Sequence, residues 1–307
     1  VDKTALIVGV GGLGCPAAVG LAEGGVRRLV LVDPDEVDLS NLQRQVLYGT
    51  EDVGRPKALV AAARLQARYP GVEVTARVER VSADNLPRLL ALGGGADVVL
   101  DCTDDPQARF WVNDAALARG VPSVIGGLLR FQGLVVAVPG DHGPCFRCLF
   151  EDPPGPDETP TCAQVGVLGA VAGAVGHLQA RRALGLLRGE VATHTGFATA
   201  LDGLAGRVRS FALPLGTRCP SCGGLDAHLD VTDEECPMPY VRSKLALEAL
   251  EPGQTLEILT RTGASAHNVP LSLLDDGHRV LARGPVGGGG PALGRYRIVV
   301  RRGGAHG

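Results

Sequence analysis

Short apolar runs and helical stretches alternate along the first part of the chain. Runs at 5–8, 29–32, 72–78, 97–101 and 121–125 are brief and rich in Val, Leu and Ala, as strands covered on both faces require. Between them, 14–24, 55–69, 83–92 and 106–119 fit helices. Strand and helix in turn predict an α/β fold, a doubly wound and mostly parallel sheet with helices on both faces. Residues 131–138 and 206–213 add further strands. The segment "EDPPGPDETPT", residues 151–161, is acidic, Pro-rich and without apolar period, which predicts a mobile surface loop. The run 165–180 is built of Gly and Ala and holds His177 and Gln179, so it predicts a tightly packed buried helix and no membrane span. From Leu229 onward the pattern restarts as strand, helix, strand, helix and two strands, with 284–294 a long glycine-rich hairpin loop. The expected division is 1–222, a linker at 223–228, and a small two-layer α/β unit at 229–307.

The first strand runs into "GVGGLGCPAA", residues 9–18. Gly9, Gly11 and Gly14 match the Rossmann-like G-x-G-x-x-G pattern, and Asp33 closes the next strand where a ribose-binding acid belongs. A helix opening on glycines presents backbone N–H groups and a positive dipole end to phosphate, which suits NAD and ATP equally. The next segment, "DPDEVDLSNLQRQ", tips the balance. Asn41, Gln43 and Arg44 form a polar cluster that a dehydrogenase does not need, whereas a triphosphate does, with Arg44 as a planar fork and Lys57 as a compact charge. Asp104, in "VVLDCTDDP", sits beyond the carboxyl end of a strand and suits Mg²⁺ held against phosphates.

Eight cysteines include two C-x-x-C pairs, Cys145 with Cys148 and Cys219 with Cys222. Four thiolates in two knuckles make a closed tetrahedral Zn²⁺ site, structural because no position is left open. Cys162 ends the Pro-rich loop before the Gly-rich helix, where a helix N-terminus favours a nucleophilic thiolate. Cys15 and Cys102 lie inside apolar elements and read as core residues. Cys236 lies between a strand and a helix, with Pro239 in the first helical turn, and its thiol is a candidate for thiolate or persulfide.

Together "GVGGLGCPAA", "LVDPDEVDLSNLQRQ", "GRPK", "DCTDD", "PCFRC" and "TCAQVGVLGAVAG" resemble the MoeB and ThiF (HesA) adenylyltransferases, relatives of the ubiquitin-activating enzymes, across residues 4–222. The stretch "LDVTDEECPMPYVRSKLALEAL" with "EPGQTLEIL", "NVP" and "GHRV" resembles the TusA sulfur-relay proteins across 229–303, with Asp233-Glu234 where a glycine is usual. The resemblance implies ATP-dependent adenylation of the C-terminal Gly-Gly carboxylate of a ubiquitin-like sulfur carrier of the MoaD or ThiS kind. Gly12 and its neighbours would line ATP, Asp33 hold the ribose, Asn41, Arg44 and Lys57 bind phosphates, and Asp104 serve the metal. It also implies a homodimer, a covalent role for Cys162 in some members, and a persulfide on Cys236 received from a donor such as a cysteine desulfurase. Members carry an N-terminal helix whose arginine reaches the partner's ATP site, whereas Val1 stands a few residues before the first strand, the expectation being a truncated or processed start with impaired catalysis. Asp105 stands where an Asn is common.

Charge removes other classes. Lys plus Arg is 30 against 33 acids, and a net charge of −3 supplies no field for nucleic acid or an anionic membrane surface. The cysteine usage and the lack of a signal-peptide pattern point to the cytoplasm. Two other functions stay open: a conjugating-system enzyme passing a thioester through Cys162, and a non-catalytic sulfur-relay scaffold.

Overall fold

The computed structural model of the chain describes residues 2–140, 144–155, 166–213, 219, 221–222, 225–286 and 294–303. The first sheet has eight strands: β1 (Thr4–Val8), β2 (Arg28–Val32), β3 (Glu73–Arg77), β4 (Val98–Asp101), β5 (Ser123–Leu129), β6 (Gln132–Val138), β7 (Phe197–Asp202) and β8 (Arg207–Ala212). Their order is β3-β2-β1-β4-β5-β6-β7-β8, with β3 to β5 parallel and β5 to β8 joined by antiparallel pairs. The strand order reverses between β1 and β4, so the loops after these two strands part and leave a crevice at their carboxyl ends, where doubly wound sheets bind ligands.

Helices cover both faces. One core joins Ile7, Leu29, Leu31 and Leu100 to α1 (Gly14–Glu23), α2 (Lys57–Arg68) and the Gly- and Ala-rich helix; the other joins Leu6, Val8, Val30 and Val99 to α3 (Leu86–Leu90) and α4 (Pro106–Ala118). Adjacent residues of one strand serve opposite cores, which is why these runs are apolar without alternation. After the short α5 (Phe146–Leu149), the Gly- and Ala-rich helix is α6 (Gly169–Leu187), and it packs on α1. A Cβ on Gly20 would come within 2.8 Å of Ala180 Cβ, so the small residues are what allows the two helices to approach. Its buried Gln179 donates from Nε2 to the Asp101 carbonyl at 2.7 Å and the Val124 carbonyl at 3.2 Å. Among the described residues no helix is long and apolar enough to cross a membrane.

After α7 (Val191–His194), the second sheet comprises β9 (Ala227–Asp230), β10 (Thr255–Arg261), β11 (Arg279–Val286) and β12 (Arg295–Arg301), in the order β11-β12-β10-β9. Helices α8 (Met238–Glu248) and α9 (Ala264–Asp275) share its core through Leu247, Val269, Leu273, Leu256 and Ile298.

Several sequence expectations shift. β5 runs on to Leu129 because it pairs with β6 through a tight turn at Arg130, and β7 was not anticipated. The helix expected over 83–92 is confined to Leu86–Leu90, and that expected at 165–180 begins at Gly169 and runs to Leu187. β9 starts at Ala227, inside the stretch expected as linker, because Asp226 is tied to Thr255 by its carboxylate. β11 extends through Val286, so the first three residues of the expected hairpin loop are strand. Residues 156–161 of the Pro-rich segment, 287–293 of that hairpin, and Cys162 lie outside the described residues.

Candidate functional site

The glycine loop follows β1 directly. Gly9 has φ +84°, and a Cβ there would stand 2.9 Å from the Cys102 carbonyl oxygen, so the loop lies flat against the segment after β4. A Cβ on Gly14 would fall 2.0 Å from the Gly9 carbonyl oxygen. Gly14 therefore lets α1 start beneath the loop, where it is buried and packs on the Gly9 carbonyl. α1 opens at Leu13 without a side-chain cap; Cys15 N already donates to the Gly11 carbonyl at 3.0 Å and Pro16 carries no N–H, so what this helix end offers an anion is chiefly its dipole.

Asp33 lies just beyond β2 and is only 4% exposed. Its Oδ2 accepts from Val10 N at 2.6 Å and its Oδ1 from Asp35 N at 2.9 Å. Burial raises its carboxyl above the ordinary range, against the pull of those N–H groups and Lys57. The chain then crosses to α2 without another strand. Asp38 caps a single turn at Leu39–Asn41, and Arg44 donates to Asn41 Oδ1, which fixes the guanidinium on this turn. Tyr48 OH donates to the Val10 carbonyl at 2.7 Å, tying the crossover to the glycine loop. Lys57, the first residue of α2, is 6% exposed and ion-pairs with Asp35 Oδ2 at 3.2 Å.

One cavity of about 240 Å³ gathers these groups: Gly9, Gly11 and Gly12, Asp33, Asn41, Arg44, Lys57 and Asp104 all line it. Gln45, Asp105 and Arg109 also line it, and sequence reasoning gave none of the three a site role. Gln45 is buried with Oε1 lacking a hydrogen-bond partner among the described residues. Arg109 and Asp105 line this cavity and a second one. The "Q" of "NLQRQ" was in view as part of the motif; nothing local marked Arg109, which only the fold brings round from α4.

The second cavity, about 1030 Å³, lies over the antiparallel half of the sheet. Apolar groups such as Ile125, Leu134 and Phe150 line it, with Arg109, Arg207 and Arg209 supplying positive charge. Asp104, Asp105, Arg109 and Leu128 belong to both cavities, so the two meet at the N-terminus of α4. There Asp105 caps the helix by accepting from Gln107 N at 2.9 Å. Beneath it, Asp101 is fully buried, with Oδ1 accepting from Thr103 Oγ1 at 2.8 Å and Oδ2 3.8 Å from Arg109 Nε. Burial pushes the Asp101 carboxyl up to about 7, in spite of Arg109.

The four expected metal cysteines come together. Cys145 Sγ is 3.6 Å from Cys219 Sγ, Cys148 Sγ is 3.2 Å from Cys222 Sγ, and all four lie within 4.8 Å of one another. Tetrahedral Zn–S bonds of about 2.3 Å place sulfurs about 3.8 Å apart, so this donor set fits Zn²⁺. The knuckle is seated on α4: Phe146 N donates to Asn113 Oδ1 at 3.0 Å, and Arg147 and Ser221 both bond the Asp114 carboxylate. By contrast Cys15 and Cys102 are buried and burial raises both thiols, Cys15 to about 12, as inert core groups. Cys236 is exposed, immediately before α8 with Pro239 in its first turn.

A glycine loop, a ribose-side acid, a phosphate cluster and a cysteine clamp, followed by a small domain with one exposed thiol, define a nucleotide-using α/β enzyme with a second, thiol-bearing module. Residues 2–223 match the ThiF family and 227–302 match the sulfurtransferase TusA family. The chain belongs to the ThiF family of adenylyltransferases and carries a C-terminal TusA domain. It is 41% identical over 235 residues to a sulfur carrier protein adenylyltransferase of Thermus thermophilus, covering 75% of this chain and 86% of that protein. It is 42% identical over 228 residues to the sulfur carrier protein ThiS adenylyltransferase of Escherichia coli, covering 74% and 88%. A mouse adenylyltransferase and sulfurtransferase, MOCS3, is 44% identical over 71% of this chain but only 46% of its own length. The crystal structure of E. coli MccB with MccA-N7isoASN shares the fold, with a TM-score of 0.64 at 19% identity over 73% of this chain and 68% of that one.

Proposed function

We propose that the chain uses ATP to adenylate the C-terminal carboxylate of a ubiquitin-like sulfur-carrier protein and that its second domain then delivers sulfur. The junction of the two cavities at Asp104, Asp105, Arg109 and Leu128 carries this reading, because a nucleotide in the smaller one and an extended acyl tail in the larger one would meet there. The family's use of ATP and the activities for which its relatives are named support it. Asp33 would hold the ribose, Asn41, Arg44 and Lys57 the phosphates, Asp104 a Mg²⁺ ion, and Arg109 the incoming carboxylate. The carboxylate oxygen attacks the α-phosphorus and pyrophosphate leaves, so positioning and charge neutralisation supply most of the catalysis.

A persulfide on Cys236 then attacks the acyl carbon and AMP leaves, giving an acyl disulfide. A second thiol, for which Cys162 is the candidate, cleaves the S–S bond; the carrier departs as a thiocarboxylate, and a thiol reductant reopens the disulfide left on Cys236. We assign the protein to a reducing cytoplasm, where persulfides and zinc thiolates survive, as a homodimer loaded by a cysteine desulfurase. We also take 1–222 and the unit that opens with β9 at Ala227 as its two working domains. The conjugating alternative leaves the TusA domain without a role. Cys236→Ser is expected to leave carrier-dependent ATP–pyrophosphate exchange intact and to abolish thiocarboxylate formed from a persulfide donor, read as a gain of about 16 Da on the carrier when sulfur replaces oxygen. Thiocarboxylate formed at the normal rate by the variant would remove the second domain from the pathway.

A further inference from the structure

Arg279 opens β11 and Arg301 closes β12, and the antiparallel register sets them directly opposite each other. Like charges in that position repel, so a pair of facing arginines calls for an anionic partner. The structure supplies one from the other domain. Arg279 ion-pairs with Asp152 at 2.6 Å and Arg301 with Glu151 at 2.5 Å, two consecutive acids meeting two cross-strand arginines. A third pair, Arg283 with Asp84 at 3.5 Å, lies further along β11, and β11 also contacts α4. The acidic pair is itself held from below. Arg147, buried inside the Cys145–Cys148 knuckle, donates to the Glu151 carbonyl at 2.8 Å and stands 3.8 Å from Asp152 while bonding Asp114 of α4. Phe150, Pro154 and Gly155, on either side of the acids, line the larger cavity.

We propose that the TusA domain docks reversibly on the rim of the larger cavity through a clasp in which Arg279 and Arg301 grip Glu151 and Asp152. Arg279 and Glu151 are each more than half exposed, so solvent and salt weaken their pairs and the clasp opens readily. Cys236 follows β9, on the edge of the sheet opposite β11, and stays exposed while the clasp is closed. A sulfur-carrying domain that must both accept and deliver needs such a resting place that can be left. The docking rests on the ion pairs and not on the assignment of the cavity to a carrier.

The test is small-angle X-ray scattering of the full chain at about 0.05 M and about 0.5 M salt, across which the screening length falls from roughly 14 to roughly 4 Å. The unaltered chain is expected to be compact at low salt and to expand at high salt. Arg279→Glu with Arg301→Glu should be expanded at both, and adding Glu151→Arg with Asp152→Arg should restore compaction. Because Asp152 also faces the buried Arg147, Arg279→Lys with Arg301→Lys provides a second check that leaves the first domain untouched, and it should keep the compact, salt-sensitive form. Equal dimensions for all variants at low salt, or expansion by the lysine pair equal to that by the glutamates, would overturn the clasp. Pyrophosphate exchange followed in the same samples reports separately on the adenylation site.

Discussion

Asp101 offers a quantitative test of the electrostatics beneath the junction of the cavities. Its carboxyl is fully buried at the end of β4, and its Oδ2 and Arg109 Nε face each other at 3.8 Å with no hydrogen-bond partner for either among the described residues. Burial disfavours the charged form and raises the carboxyl from 3.8 to about 7. Below 3.8 both folded and unfolded chains hold the proton, and the group contributes no pH dependence. Between 3.8 and about 7 the folded chain keeps a proton that the unfolded chain has released, so stability falls as pH rises. Above about 7 the loss is complete, at ~4 kcal/mol when ~1.36 kcal/mol is taken for each pH unit. Asp101→Asn removes the titration. Thermal melts of the two proteins from pH 4 to 8.5 should diverge with pH, the variant gaining relative to the parent by up to about 10 °C, since ~1 kcal/mol moves the midpoint of a domain this size by about 2–4 °C. A constant offset would reflect the new amide beside Arg109. Parallel curves across the range would refute the raised carboxyl.

Two further outcomes bear on the nucleotide cavity and the cysteine clamp. Arg44→Ala and Lys57→Ala should each lower carrier-dependent ATP–pyrophosphate exchange at least about tenfold, the effect of one lost charge-assisted contact of ~1.4 kcal/mol; tight NADH binding with no exchange would instead indicate a dehydrogenase. Elemental analysis should find one Zn²⁺ per chain, and Cys148→Ser should lower both the metal content and the melting midpoint without a selective loss of exchange, whereas metal-free protein purified without chelator would exclude a zinc clamp.

The parts of the site that were legible in the sequence are those whose chemistry is local. Gly9 stands directly after a strand at the head of a glycine motif, and cysteines paired with two residues between them carry their ligand chemistry in their spacing, so both could be read before any fold was known. Gly14 shows what the same motif leaves unread: the 2.0 Å approach of its Cβ position to the Gly9 carbonyl, a packing constraint that appears only once the loop is folded. β7 went unread because "FATALD" has neither branched apolar residues in series nor alternation, and it becomes a strand by pairing on both sides with β6 and β8.

What the sequence could not supply is adjacency between distant side chains. Arg109 stands eight residues after Asp101, yet its place between two cavities depends on β4 and α4 both packing against β5. Tyr48 looks like an ordinary apolar position until its hydroxyl reaches Val10, 38 residues away. The facing of Arg279 and Arg301 requires the register of β11 on β12, and a shift of one residue would send the two side chains to opposite sides of the sheet. Register thus decides whether those two charges form a single recognition surface, and the same register keeps Ile298 and Val300 in the core of the small domain. Packing that core fixes the arginines opposite each other, so the charge pair is held in place by apolar burial and cannot relax by sliding. Their mutual repulsion is offset where an anionic surface faces them, and in this chain Glu151 and Asp152 provide one that solvent and salt can replace.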